Sequence, residues 1–361
     1  MDRPPCRNGR PVGWEEALCV SIGRLIRVIE ARADARAGLI GNRSDGYYGK
    51  TISFIMKNFC ARVWCAESDR LEVIPGKRDP VNFSSLKDLA ADVDLHGYYG
   101  GLRLLKATLK RFHDYCVEQD IELPEKNCRL WYDTNIPLRV GLAGSSAIVT
   151  AAFKALMEFY EVSVPKPLLP GVILEVETKE LKIPAGYQDR VIQVYGGTVF
   201  MDFNRKFMGD HGHGRFIEID SSKLPPLYVA YDDGLSEGTE VFHSDIRARW
   251  ERGDKEIVSA MEKFAQFAED AKQAIEEGDH PALGKLMDAN FDLRASLYRL
   301  SERNHLLVQT GRRHGCSSKF AGSGGAVVGI LPDESVFPEL QKSYEEMGAK
   351  AVRPILDISE E

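Results

Sequence analysis

The sequence predicts an α+β protein of two domains, and three observations carry that reading. The chain has 361 residues, 43% hydrophobic and 28% charged, which is ordinary for a globular protein and long enough for two domains. Strand-like runs and helix-like runs follow one another along most of its length. A Pro225-Pro226 step interrupts the pattern before a new strand-like run. The boundary is placed there, giving an N-terminal extension at 1–27, a first domain at 28–225 and a second at 226–361.

The elements follow in order. Residues 1–13, rich in Pro, Gly and Arg, are expected to be disordered. Trp14 to about Glu30 reads as a helix or an added arm. Strand-like runs come near Thr51–Ile55 and Ala61–Ala66. Leu102–Tyr115 reads as a helix, with Leu102, Leu105, Leu109 and Phe112 on one face. Arg129–Asn135 alternates like a strand and leads into a glycine loop. A helix runs from Ser146 to about Tyr160. Pro165–Pro170 breaks the chain before a second helix, Gly171–Leu181. Thr198–Phe203 is strand-like, and Gly209–Gly214 reads as a glycine and histidine loop. The second domain opens with a strand at Leu227–Tyr231. It is then mostly helical from Val241 to Leu307, stopping at Gly278-Asp279-His280-Pro281, where Asp279 suits an N-cap and Pro281 the first turn. Ala326–Leu331, a helix and Ala351–Ile355 close the chain as strand, helix, strand. The charge run Glu251–Glu256 is the solvated start of a helix.

Composition excludes several functions. A net charge of −7 argues against a nucleic-acid partner, which would need a basic face. It leaves room for a local basic pocket. Seven cysteines without a Cys-x-x-Cys pair give no zinc pattern and no disulfide framework. A reduced, cytoplasmic setting fits this usage. The first residues have no continuous apolar core or cleavage signal, and no window approaches the roughly 18 apolar residues of a membrane span. His211 and His213 lack a third ligand that would make them a metal site.

The segment richest in chemistry is Ile136-Pro137-Leu138-Arg139-Val140-Gly141-Leu142-Ala143-Gly144-Ser145-Ser146-Ala147, which runs into an apolar helix. Glycines let the backbone approach a ligand closely. A helix N-terminus offers unpaired N–H groups and the positive end of the dipole, together an anion site. The loop lacks the Gly-Lys-Ser/Thr of a P-loop and the order of the dinucleotide fingerprint. Alone, it is equally well a plain tight turn. Two more glycine-punctuated segments stand with it. One is Ala35–Lys50, containing Gly41-Asn42-Arg43-Ser44-Asp45-Gly46-Tyr47-Tyr48-Gly49-Lys50. The other is Lys319-Phe320-Ala321-Gly322-Ser323-Gly324-Gly325.

Three such segments, near the start, middle and end of the chain, resemble the GHMP small-molecule kinases. That family has a Pro-x-x-x-Gly-Leu-x-x-Ser-Ser loop as its middle motif. The resemblance runs from about Val28 to the C-terminus. Within the family, the segments at Gly41–Ser53, His96–Gly101, Tyr132–Pro137 and Ala185–Gly197 are most similar to the plant-type glucuronokinases, which make glucuronate 1-phosphate. The resemblance implies an N-terminal domain like ribosomal protein S5 that binds nucleotide, and a ferredoxin-like C-terminal domain with added helices. It also implies ATP and Mg2+ as cofactors and a sugar acid as substrate, in a monomer or homodimer without nucleic acid or membrane. Other sugar-1-kinases (for galacturonate or arabinose) and a non-catalytic sugar- or ATP-binding relative stand as alternatives.

The resemblance also assigns site residues. Pro137, Gly141, Leu142, Ala143, Gly144, Ser145, Ser146 and Ala147 would cradle the phosphates. Ser146, with Ser145 as its alternative, would reach the metal. Glu177, twelve residues before Asp189, stands where the family keeps a carboxylate ligand for magnesium, with Glu175 and Glu180 as rivals. Asp189, in a Gly-x-Gln-Asp turn, matches the catalytic base; the plain alternative is a helix N-cap. Arg36 would pair with it and offset transferred charge, unless it is only a surface residue ending a strand. Asn42, Ser44 and Asp45 fill the sugar-binding turn. Galactokinases have Glu-His-x-Asp there, so galactose itself is disfavoured. Tyr47, Tyr48, Tyr98 and Tyr99 could present rings to the sugar. Lys50 and Arg190, ranked above Arg43, are the cations for a sugar carboxylate. Gly324 lies in the third segment, whose backbone can approach the substrate.

Overall fold

The computed structural model describes residues 27–76, 79, 83–96, 100–234 and 240–357. Among these residues the chain forms two sheets. The first is built on one long strand, β2 (Lys50–Ser68), which pairs antiparallel along its length with β1 (Val28–Ile40). On its other side β2 pairs with two strands in succession. Its first half takes β5 (Thr198–Asp202) and its second half takes β4 (Asn127–Thr134). The short β3 (Glu72–Val73) and β6 (Arg215–Ile219) complete the edges.

The second sheet has four strands, β7 (Leu227–Tyr231), β8 (Ser317–Phe320), β9 (Ala326–Ile330) and β10 (Lys350–Val352), in the spatial order β10-β7-β9-β8. All neighbours are antiparallel. With helices between β7 and β8 and between β9 and β10, this is the β-α-β-β-α-β ferredoxin-like arrangement. The added helices fall in the first crossover: α7 (Glu240–Glu251), α8 (Lys255–Glu277), α9 (His280–Leu297) and α10 (Glu302–Arg313). Asp279 caps α9, accepting from Ala282 N at 2.9 Å, as its place before Pro281 requires. Asp254 caps α8, accepting from Glu256 N at 3.1 Å, so the charge run 251–256 starts that helix only from Asp254 on, and the first residue of the run, Glu251, ends α7.

Besides α1 (Leu86–His96), the chain before β5 forms α2 (Gly101–Glu118), α3 (Gly144–Tyr160), α4 (Leu169–Glu175) and α5 (Gln188–Tyr195); α3 and α5 pack on the first sheet, and α2 and α4 pack against α3. Eleven residues of α3 are buried, from Ser146 through Phe159. That is why its sequence is apolar nearly all round.

Five expectations need correction. Residues 28–30, the end of the helix or arm expected over 14–30, belong to strand β1, where they pair with β2. The runs at 51–55 and 61–66 belong to the single strand β2, which remains extended between them. Residues 209–214 are not all loop. Arg205–His211 forms the helix α6, opened by the Asn204 cap and closed by Gly212 in the left-handed conformation. The helix expected at 171–181 begins at Leu169 and widens to a π-helical turn over Val176–Glu180. Beyond Val352 the chain leaves the sheet, so the last strand stops short of Ile355. Expectations for residues 1–26, and for Tyr98 and Tyr99, lie outside the described residues.

Candidate active site

The glycine loop enters α3 as its sequence requires. Gly141 has φ +75°, and Ala143, the residue before the helix, sits in the left-handed region at φ 63°. No side chain caps this helix. The first-turn N–H groups of Gly144, Ser145 and Ser146 thus have no capping side chain, at the positive end of a 17-residue helix. Such a cradle fits phosphate oxygens. Ser146 donates its hydroxyl proton to the Ala143 carbonyl at 3.0 Å, which leaves the oxygen lone pairs able to face a cation.

Asp189 lies in the first turn of α5. It does not cap the helix. Its Oδ1 accepts from Arg36 Nε at 2.7 Å. Arg36 is not a surface residue ending a strand either. It lies inside β1, 5% exposed. Its Nη1 donates to the carbonyls of Gly141 and Ala321, both at 2.8 Å. One guanidinium therefore joins the base candidate, the phosphate loop and the third glycine segment. The Asp189 side chain keeps 21% exposure, enough to meet a ligand.

Arg190, next along α5, reaches the other oxygen of Asp189, with its Nη1 3.5 Å from Oδ2. It is ion-paired with Glu177 and donates to Gly186 O at 3.0 Å. Burial, with Arg36 nearby, lowers its guanidinium to about 9, still charged at neutral pH. Glu177 sits in the π-helical turn and is buried. Its rivals face elsewhere: Glu175 pairs with Arg111, and Glu180 lies 3.9 Å from Lys110. A hydroxyl and a carboxylate are the hard oxygen donors a magnesium ion prefers, so Ser146 and Glu177 suit that ion chemically.

The sugar-turn residues divide into two groups. Asp45 faces α5, where its Oδ2 accepts from Gln188 N at 3.3 Å. Burial and the neighbouring Asp189 raise its pKa. Asn42 is 2% exposed; its amide reaches Phe320 O at 3.5 Å, while its own Oδ1 has no protein partner. Asp45 thus lies beside Asp189, and Asn42 beside the third glycine segment. Ser44 is spent on the turn itself, bonding Lys50 N and O. Tyr47 packs edge-on against Trp250 at 5.5 Å, and Lys50 is paired with Glu269 of α8. These two have their contacts on the C-terminal helices and not around Asp189. Tyr48 is exposed, with Arg205 over its ring.

Several residues here were not visible in the sequence. Gln193, one turn after Asp189 on α5, donates to Ala143 O and Asp34 O and so ties the base helix to the phosphate loop. Its spacing from Asp189 was the one available hint. Asn290 and Arg294 of α9 hold the other two segments: Asn290 Oδ1 accepts from Gly41 N at 2.8 Å, and Arg294 donates to Gly322 O and Ser323 O. Lys319 is fully buried, with its amine on Gly38 O and Phe320 O. Burial, Arg294 and Arg36 depress its pKa well below the ordinary lysine value. Gly324, at φ +144°, lies against the Asn304 side chain.

Two family descriptions match the chain: the GHMP kinases N terminal domain over residues 103–197 and the GHMP kinases C terminal region over 271–350. Glucuronokinase 1 of Arabidopsis thaliana is 44% identical over 335 residues, 91% of each chain. The probable glucuronokinase 2 of the same plant is 45% identical over 313 residues, 85% of each chain. Among solved structures, Lactococcus lactis galactokinase complexed with galactose superposes with a TM-score of 0.72 at 14% identity. That match covers 94% of this chain and 96% of the galactokinase, and it shows the shared two-domain fold. Sequence, fold and the arrangement of the three glycine segments agree: the chain belongs to the GHMP kinase family.

Proposed function

We propose that the chain is an ATP-dependent sugar kinase that converts D-glucuronate to glucuronate 1-phosphate, a precursor for UDP-glucuronate synthesis. One observation carries the reading: Arg36 bonds Asp189 and the Gly141 carbonyl of the phosphate loop together. A proton acceptor and a phosphate cradle are thereby fixed to the same side chain. Asp189 takes the proton of the anomeric hydroxyl as that oxygen bonds to the γ-phosphorus and the bond to the bridging β–γ oxygen breaks, releasing ADP. Arg36 offsets charge in the transferring group. The backbone of Gly141–Ala147 holds the phosphates. Magnesium, supplied with ATP, would be held by Ser146 and Glu177 and would neutralise charge on the β and γ oxygens.

Asn42 and Asp45 receive sugar hydroxyls. The partnerless Oδ1 of buried Asn42 supports this, since a buried acceptor is costly without a donor. The identity of the sugar rests on the similarity to the two Arabidopsis proteins. The enzyme acts in the cytoplasm as a monomer or homodimer; the five described cysteines are free thiols, which suits a reduced compartment. Among the described residues no helix is long and apolar enough to cross a membrane.

The test is ADP release with MgATP across glucuronate, galacturonate, galactose, arabinose and mevalonate at matched concentrations. Glucuronate should give the highest turnover. Equal or better turnover with a neutral hexose would sink the uronate assignment.

A further inference from the structure

We infer that Arg294 is a positioning residue for phosphoryl transfer. From the C-terminal half it holds the Gly322–Gly325 turn against the phosphate loop and so fixes Arg36 beside Asp189. This rests on the roles proposed for Arg36 and Asp189.

Arg294 lies on α9 and is 3% exposed. Its Nη1 donates to Gly322 O at 2.7 Å and its Nη2 to Ser323 O at 2.6 Å. The guanidinium is stacked among aromatic rings, 4.8 Å from the centroid of Phe320 and 5.5 Å from that of Tyr298. Among the described residues no carboxylate pairs with it. A buried cation without a counter-ion is expensive, and an apolar side chain would fill this space at lower cost. What arginine alone supplies is a rigid fork reaching two successive carbonyls.

Those carbonyls belong to the segment that meets the catalytic groups. Gly322 abuts the Gly141 carbonyl and the Arg36 guanidinium so closely that a Cβ there would collide with Gly141 O. Gly141 in turn faces Gly324 O, 2.9 Å from where its own Cβ would stand. Ala321, the residue before Gly322, provides one of the two carbonyls that hold Arg36 Nη1. The other is Gly141 O. A shift of the turn therefore moves one anchor of Arg36 directly and presses on the second. A misplacement of about 1 Å at a reacting centre can cost on the order of 100-fold in rate.

The test is a double-mutant cycle with Arg36→Met, Arg294→Met and the double variant. All are assayed for kcat and KM with MgATP and the best sugar of the wild type, and rates are expressed per folded molecule by circular dichroism. Arg294→Met should lower kcat about 10- to 100-fold while KM for the sugar changes less than about threefold. In the Arg36→Met background the same change should cost less than about threefold, because its route of action is already gone. Additive losses would overturn the inference, as would an unchanged kcat per folded molecule in Arg294→Met. Should that variant fail to fold, Arg294→Gln carries the same cycle, since its amide can still donate to one carbonyl. If Arg36→Met itself keeps wild-type kcat, the proposed role of Arg36 fails instead, and the two failures are told apart by the single variants.

Discussion

Asp189 has two possible jobs at the start of a helix, and its contacts separate them. A capping carboxylate would face backbone N–H groups of its own first turn; this one faces Arg36. Asp189→Asn keeps the size but cannot take a proton. It should lower kcat by about 10²–10⁴ while leaving the ATP dissociation constant within a few-fold of wild type. Rapid-quench kinetics would check the chemical step; more than half of wild-type turnover there would remove Asp189 as the base. Asp45 gives a pH-dependent prediction. Burial and Asp189 raise its pKa in the folded protein. Its stabilising contribution is therefore complete below the unfolded value, about 3.9, and is lost as pH rises through the folded value. Asp45→Asn, which cannot ionise, should melt at a higher temperature than wild type at pH 7 to 8, with the gap closing towards pH 4. A gap that stays constant over that range would mean that Asp45 ionises without cost. Asp189 and the serines were legible because a local motif surrounds them. Arg294 and Lys319 were not. Their partners Gly322 and Gly38 lie 28 and 281 residues away along the chain, and no local spacing records such a contact.

Elements were legible where side-chain pattern and burial agree, and were missed where tertiary pairing overrides propensity. The strand β1 is rich in alanine, a poor strand former. It is extended because β2 pairs with it from Val28 to Ile40. Gly209 suggested a loop, since glycine disfavours helix interiors, yet the Asn204 cap and Gly212 enclose it in a short helix. The π-helical turn has no sequence signature at all. It inserts an extra residue into the helix that carries Glu177, and such turns often mark functional sites. Arg111 secures the same stretch, pairing Glu175 at its entrance with Glu118 of α2. If this turn presents a magnesium ligand, Glu177→Gln and Ser146→Ala should each raise the free magnesium needed for half-maximal rate at fixed ATP, with rates taken per folded molecule by circular dichroism because Glu177 also pairs with buried Arg190. An unchanged midpoint in both variants would reassign the metal contact to Ser145 or to Glu175 and Glu180.

The molecule as a whole carries a charge of −7, so its long-range field repels both ATP and a sugar acid. The site opposes that field locally. Arg36, Arg43, Arg190, Arg294 and Lys319 lie close enough to influence one another or the acids beside them, and those acids are Asp45, Asp189 and Glu177. The two cations first ranked for the sugar carboxylate differ in how much they can contribute. Lys50 is partly exposed and paired with Glu269, so water screens it, and a pair of that kind is worth about 0–1 kcal/mol. Arg190 is buried against Glu177. Removing it leaves a buried carboxylate unpaired, a loss of about 3–5 kcal/mol, so Arg190→Met should lower the melting temperature far more than Lys50→Met. The same variants, assayed on glucuronate and on glucose, separate a reader of the carboxylate from a support of the fold. A reader loses activity on the acid far more than on the neutral sugar, because only the acid forfeits an ion pair. Lys50→Met should shift that ratio if the sugar acid displaces Glu269 from the lysine. Arg190→Met should lower both activities together if its charge is held by Glu177. If neither variant changes the ratio, the carboxylate is read by Arg43 or by backbone N–H groups, and the same assay on Arg43→Met decides between those two.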